Sequence, residues 1–435
     1  SGGATQVAAV VPLVTSSVAN LAPNATTIVI AGLGFDPTPS NNTVVFNLGA
    51  AGTVTAATAT ALTVTFDTNP TTTGSLTAVV TSNSLASGAA VQVATVKPVA
   101  TSSTANLAAN ATTLTISGFG FDATTASNNT VLFSNGAVGT VTSATATALT
   151  VSITTGPKTA GSLTAIVTTG GQSSGAAVQV ASVTPSISSS TANLAANVST
   201  LTINGFGFDP IVANNSIVFN GSTVGTVTAA TATSLIISFS TNSPPTAGNL
   251  TVVVTTNTQN SGTAVQVATV TPVVTVNTTN VAANASTITV DGFGFDAVAA
   301  NNSVVLNNGA VGTIASATAT SLTITLTTLP SKAGSLTAII TTNTQVSGSA
   351  AQIASVAPVV RANDGNILSA SSSTLTIIGI GFDTTAGNNT VVFNNEAVGT
   401  VTSATATTLS VSLSTRPTTV GGLSAVVTTN AVGSG

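Results

Sequence analysis

The stretch Thr113-Leu114-Thr115-Ile116-Ser117-Gly118-Phe119-Gly120-Phe121-Asp122 decides the fold. Its first half alternates polar with apolar residues, the signature of a half-buried strand. Threonine and isoleucine branch at Cβ, which disfavours helix and suits a pleated surface. The stretch closes on Gly-Phe-Asp, and that tripeptide recurs with its aspartates at Asp36, Asp122, Asp209, Asp296 and Asp383, spaced 86, 87, 87 and 87 residues. Prolines 12, 98, 185, 272 and 358 repeat on the same period. So do the Asn-Asn pairs that begin at Asn41, Asn128, Asn214, Asn301 and Asn388. Three registers with one period define a fivefold internal repeat.

A period of 86–87 residues is too long for one turn of a solenoid and suits a small sandwich with its own core. Within the second copy, strands are expected near Asn106-Leu107, Thr113–Phe121, Thr130–Phe133, Gly139–Val141, Ala148–Ile153 and Ser162–Thr168. The last is expected from Ala176 to Val180 and on toward Pro185. About seven short strands per copy, bounded by Gly, Asn and Pro, predict an all-β chain of five tandem immunoglobulin-like sandwiches. The divisions fall at residues 1–12 (a junction strand), 13–98, 99–185, 186–272, 273–358 and 359–435. With strands of six to eight residues, each domain spans roughly 40 Å and five form a rod of about 200 Å. Very short proline-containing joints favour stiffness. All fourteen phenylalanines are assigned to strands, as core anchors.

Charged residues make up 3% of the chain, against roughly 25% in ordinary domains. The net charge is −4 over 435 residues. A surface with so little charge is either covered by glycans or built to associate. Only Lys97, Lys158, Lys332, Arg361 and Arg416 are basic, far short of the clustered cations that phosphate binding needs, so nucleic acid is excluded as a partner. Apolar runs stop at about eight residues, and a spanning helix needs about 20.

Enzyme chemistry finds few tools here. The chain has no His, Cys or Tyr, and the carboxylates outside the repeated positions, Asp67, Asp291, Asp364 and Glu396, have no counterparts in the other copies. A serine nucleophile would lack its base. No cofactor is expected: the Gly-x-Gly-Phe element, Gly118 to Phe121, has no third glycine and no following helix, so it marks a bulge or close packing. The five repeated aspartates, each followed by the Asn pair, are calcium candidates, but one carboxylate per copy is thin for six to eight oxygen ligands. The competing reading is that each caps a turn. Asn41, Asn128, Asn214, Asn301 and Asn388, and also Asn24, Asn110, Asn197 and Asn284, stand in Asn-x-Ser/Thr and are candidate glycosylation sites.

The run from Thr113 to Asp122 resembles the early strand of the IPT/TIG immunoglobulin-like domain. So do Gly139–Val151, Ala160–Thr168 and the proline that opens each copy. The resemblance covers all five copies. It implies a sandwich fold and, with this composition, the prokaryotic surface-protein branch of the family rather than its DNA-binding branch.

The ends of the chain share one phase. Ala4-Thr5-Gln6-Val7-Ala8-Ala9-Val10-Val11 repeats the internal junction strands, such as Gln179-Val180-Ala181-Ser182-Val183, while the fifth copy stops where its own would begin. The expectation is a subunit of an extracellular or cell-surface filament, polymerising head-to-tail as a homopolymer, with residues 4–11 completing the fifth sandwich of a neighbour. The alternative is the stalk of a larger adhesin or glycan-binding protein, of which this is a window.

Overall fold

Alternation becomes sheet in the computed structural model, which describes residues 2–221, 223–240, 245–362 and 367–435. The first domain sets the labels. Its strands are β1 Leu13–Val14, β2 Asn20–Leu21, β3 Thr27–Leu33, β4 Asn42–Phe46, β5 Ala51–Thr58, β6 Ala61–Thr68, β7 Gly74–Ser82, β8 Leu85–Ala86 and β9 Val91–Val96. They form two sheets, ordered β1-β3-β6-β5 and β2-β9-β7-β4, with β8 beside β7. All pairings are antiparallel except β2 with β9, which is parallel. The second, third and fourth domains repeat both orders.

Each sheet buries alternate residues. In β7 of the second domain, Gly161–Thr169, the side chains of Leu163, Ala165 and Val167 are fully covered, while those between them are half-exposed. Strand β9 of that domain breaks the rule: Val180 and Ala181 are adjacent and both buried. A bulge in its pairing with β7, between Leu163 and Thr164, shifts the phase by one residue.

The phenylalanines correct one expectation. Strand β3 of the second domain ends at Phe119, and Phe121 lies beyond it. Gly120 adopts a left-handed conformation (φ +74°), which returns the chain and drops the Phe121 ring into the core. Phe35, Phe121, Phe208, Phe295 and Phe382 are all 0–3% exposed at this position. The ring lies so close to β3 that a Cβ on Gly118 would sit 2.4 Å from it and 2.1 Å from the Val99 carbonyl. The glycine therefore marks close packing, as its spacing predicts.

The fifth domain differs. Its first sheet is complete, and among the described residues its second contains β4, β7 and β8. Strand β7 is cut from nine residues in the fourth domain (Gly334–Thr342) to five (Ala425–Thr429). Leu423 and Ala425 are only partly covered, whereas Leu336 and Ala338 are fully buried.

Replacing the buried Phe208 with alanine should lower the stability of the third domain by about 3–5 kcal/mol, read as an earlier transition in denaturant. The exposed Phe206 (45% exposed) provides the contrast, and its alanine variant should leave that transition in place.

Candidate functional site: the domain junctions and an open sheet edge

Strand β9 of one domain runs almost directly into β1 of the next. In the second domain β9 ends at Thr184, Pro185 follows, and β1 of the third begins at Ser186. Proline has no N–H to leave unbonded and fixes φ, so the single-residue joint has little freedom. The joints at Pro272 and Pro358 are equally short, and Lys97-Pro98 forms the first.

The Gly-Phe-Asp loop stands at each joint. A Cβ on Gly207 would sit 2.5 Å from Ala109 of the preceding domain. On Gly294 it would meet Ala196 at 2.4 Å, on Gly381 Ala283 at 2.6 Å, and on Gly120 Pro23 at 2.4 Å. These glycines are thus needed twice, for a left-handed φ and for a neighbouring domain. Their carbonyls accept across the joint: Ala160 N–H donates to Gly207 at 2.8 Å, Ala247 to Gly294 at 2.9 Å, and Ala333 to Gly381 at 2.7 Å. Phe293 packs on the third core although it belongs to the fourth domain, and Ile380 does likewise on the fourth core.

An asparagine in the β7–β8 turn completes the latch at the last three junctions. Asn257 Nδ2 donates to the Ala160 carbonyl of the second domain at 3.1 Å and to Asp209 Oδ2 at 3.0 Å. Asn343 and Asn430 do the same with Ala247 and Asp296, and with Ala333 and Asp383. Each asparagine is left-handed (φ +47° to +50°), a conformation asparagine tolerates better than most residues. At the last junction Lys332 adds an ion pair to Asp383 at 3.0 Å.

The five repeated aspartates hold their loops. Oδ1 accepts from the N–H two residues on, from Thr38 to Asp36 at 2.8 Å and from Val298 to Asp296 at 2.8 Å. Beneath, Asn129 Oδ1 accepts from Asp122 N–H and from buried Thr169 Oγ1, and its amide donates to the Asp122 carbonyl. The same net recurs around Asn215, Asn302 and Asn389. This is the turn-capping arrangement. Among the described residues no three carboxylates, histidines or cysteines come together to hold a metal ion. Asp364 lies outside the described residues.

Donors aimed at the charged form hold these carboxyls below their ordinary value of 3.8. For Asp36 and Asp209 the first cause is the backbone N–H of Thr38 or Ile211. Asp122 is lowered furthest among the exposed ones, chiefly by Asn128 and then by Thr124. At Asp296 desolvation opposes the shift, and the bonds from Val298, Asn301 and Asn343 outweigh it. Asp383 is held down by the Thr385 N–H, against desolvation, with Lys332 helping.

Both sets of candidate glycosylation sites are exposed. Asn41, Asn128, Asn214, Asn301 and Asn388 close a short 3₁₀ turn. The amides of Asn128, Asn214 and Asn301 already donate to aspartates. Asn24, Asn110, Asn197 and Asn284 sit on the turn between β2 and β3.

Residues 4–11 form no strand. Val7 is 97% exposed and Val10 82%, whereas their counterparts Val93 and Val96 are 4% and 0% exposed. The structure thus leaves this β9-like segment unpaired. The junction latch was not foreseen from sequence, although the constant glycine before each Phe-Asp was a signal for it.

Paired antiparallel sheets, repeated end to end with such joints, define a tandem immunoglobulin-like sandwich protein. Residues 98–181, the second domain, match the family model of the IPT/TIG domain. The other domains repeat the motifs and strand order of that matched stretch, the fifth in part. No curated protein matches it by sequence. Among solved structures it is similar to the plexin A4 extracellular region (10% identity, TM-score 0.19), covering 97% of this chain and 43% of that one. It is similar to the ICAM-5 D1–D4 ectodomain fragment (13%, TM-score 0.19), covering 80% of this chain and 99% of that one. It is also similar to the S-layer protein rSbsC (15%, TM-score 0.16), covering 98% and 65%. Among the described residues no helix is long and apolar enough to cross a membrane.

A lowered carboxyl pKa means that the folded chain binds fewer protons than the unfolded chain, so stability rises with pH in that window. The contribution is complete above the unfolded value and is lost as pH falls through the folded values. The unfolding midpoint should stay level from neutrality to about pH 5 and fall below about pH 4. Changing the five aspartates to asparagine should flatten that fall, as measured by calorimetry across pH.

Proposed function

We propose that this chain is a structural subunit of an extracellular or cell-surface fibre, joined head-to-tail by strand complementation. Residues 4–11 of one copy fill the open side of β7 in the fifth domain of the next. One observation carries the reading: an exposed segment with the residues of β9, Val7 at 97% and Val10 at 82% exposure, coexists with a fifth core whose Leu423 and Ala425 are only partly covered. The fourth domain supplies the register. There Val356 faces Gly334, Ala354 faces Leu336 and Gln352 faces Thr337. By the repeat, Val10 faces Gly421, Ala8 faces Leu423 and Gln6 faces Ser424. Burying Val7 and Val10 is worth about 1.5–3 kcal/mol each before the cost of association. Added main-chain bonds supply the rest, as in other strand-addition modes.

No catalytic role is assigned to any residue. Low charge suits a surface that packs against copies of itself. Glycans, if carried, fit the exposed Asn24, Asn110, Asn197 and Asn284 better than the asparagines whose amides bind aspartate.

Negative-stain electron microscopy of the chain beside a version lacking residues 1–11, and beside V7D/V10D, tests the proposal. Long filaments from the first and short rods from the other two are expected. Single five-bead rods from all three would remove the polymer and leave the stalk of a larger adhesin.

A further inference from the structure

The first junction departs from the other three at two positions together. Where the third, fourth and fifth domains have Asn257, Asn343 and Asn430, the second has Gly170, still left-handed at φ +55°. Where the second, third and fourth domains present Ala160, Ala247 and Ala333, the first presents Thr73. The two changes complement each other. Thr73 Oγ1 crosses the joint and donates to the Thr169 carbonyl at 2.9 Å, in place of the amide that crosses the other way elsewhere. Asp122, deprived of the turn asparagine, takes Thr124 Oγ1 at 2.7 Å and Asn128 at 2.6 Å from its own loop.

We propose that this residue pair determines which domain faces latch together: alanine opposite asparagine, or threonine opposite glycine. The crossed combinations fail for steric and bonding reasons. A Cβ on Gly170 would lie 3.1 Å from Thr73 Oγ1, tighter than ordinary contact, so a side chain there crowds the hydroxyl that crosses the joint. In the other three junctions the alanine is 1–3% exposed, which leaves no room for branching opposite asparagine. Alanine opposite glycine leaves the joint without a crossing side-chain bond.

The rule extends to contact between copies, and there it rests on the fibre reading above. The corresponding positions of the fifth and first domains are Val420, fully exposed, and Asn83, whose amide is bonded to Asp36 at 2.8 Å. Valine is branched like Thr73 but has no hydroxyl, and it would meet an asparagine. This is a crossed combination, so the joint between copies is held by residues 4–11 without the latch. Every fifth joint of a fibre is then the compliant one.

The chain has no cysteine, so two labels can be placed cleanly. Spin labels at T43C and T130C, both exposed on β4 of adjacent domains, report the distance distribution across the first junction. A narrow distribution is expected in the parent, broader ones in G170N and T73V, and a narrow one again in T73A/G170N. Unfolding midpoints of the same samples check that both domains are folded. A G170N distribution as narrow as the parent's, or a double variant as broad as G170N, overturns the pairing. In fibres, V420A should narrow the bend angles at every fifth joint, and unchanged angles overturn the extension to copies. If no fibres form, the fibre reading and its extension fall, while the label distances still decide the pairing.

Discussion

Strand β9 pairs with β7 along the bulk of its length, accepts β2 on its other side, and one proline later has become strand β1 of the next domain. That double duty couples the closure of one core to the orientation of its neighbour. Where β9 is present, Leu163 and Leu336 are sealed and β7 keeps nine residues. In the fifth domain β7 has five residues and Leu423 is partly uncovered.

The chain achieves this with almost no charge. Buried asparagines and threonines satisfy the loops, and among the described residues no buried side-chain nitrogen or oxygen lacks a partner. Five of its nine acidic residues serve as loop staples, four of them also bonded to the asparagine that follows β7. In three of those domains the same asparagine reaches the previous domain, so loop order and junction order rest on one side chain. Neutral amide-to-carbonyl latches are insensitive to salt, unlike a joint built from surface ion pairs.

Much of the fold was legible because period-two alternation and the fivefold repeat are properties of residue order. Thr113–Phe119 reads as a strand from its pattern alone. Phe121 was misassigned because the turn at Gly120 depends on a left-handed dihedral that alternation does not report. The phase break at Val180 and Ala181 hid for the same reason, since a bulge is set by the partner strand. The aspartates could be read as turn caps, but their link to Asn257 or Asn343 spans just over half a domain and needs the fold. Least legible were the junctions. Gly207 and Ala109 are distant in sequence, and only the packing of consecutive domains brings them together.

The central claim is that a β9 segment completes whichever β7 is open. Amide hydrogen exchange of Gly421–Thr429 tests it most directly, in a chain lacking residues 1–12 with a synthetic peptide of those residues added. The account predicts that the peptide slows exchange through Leu423 and Ala425 and that a scrambled peptide does not. Equal exchange with either peptide would contradict it.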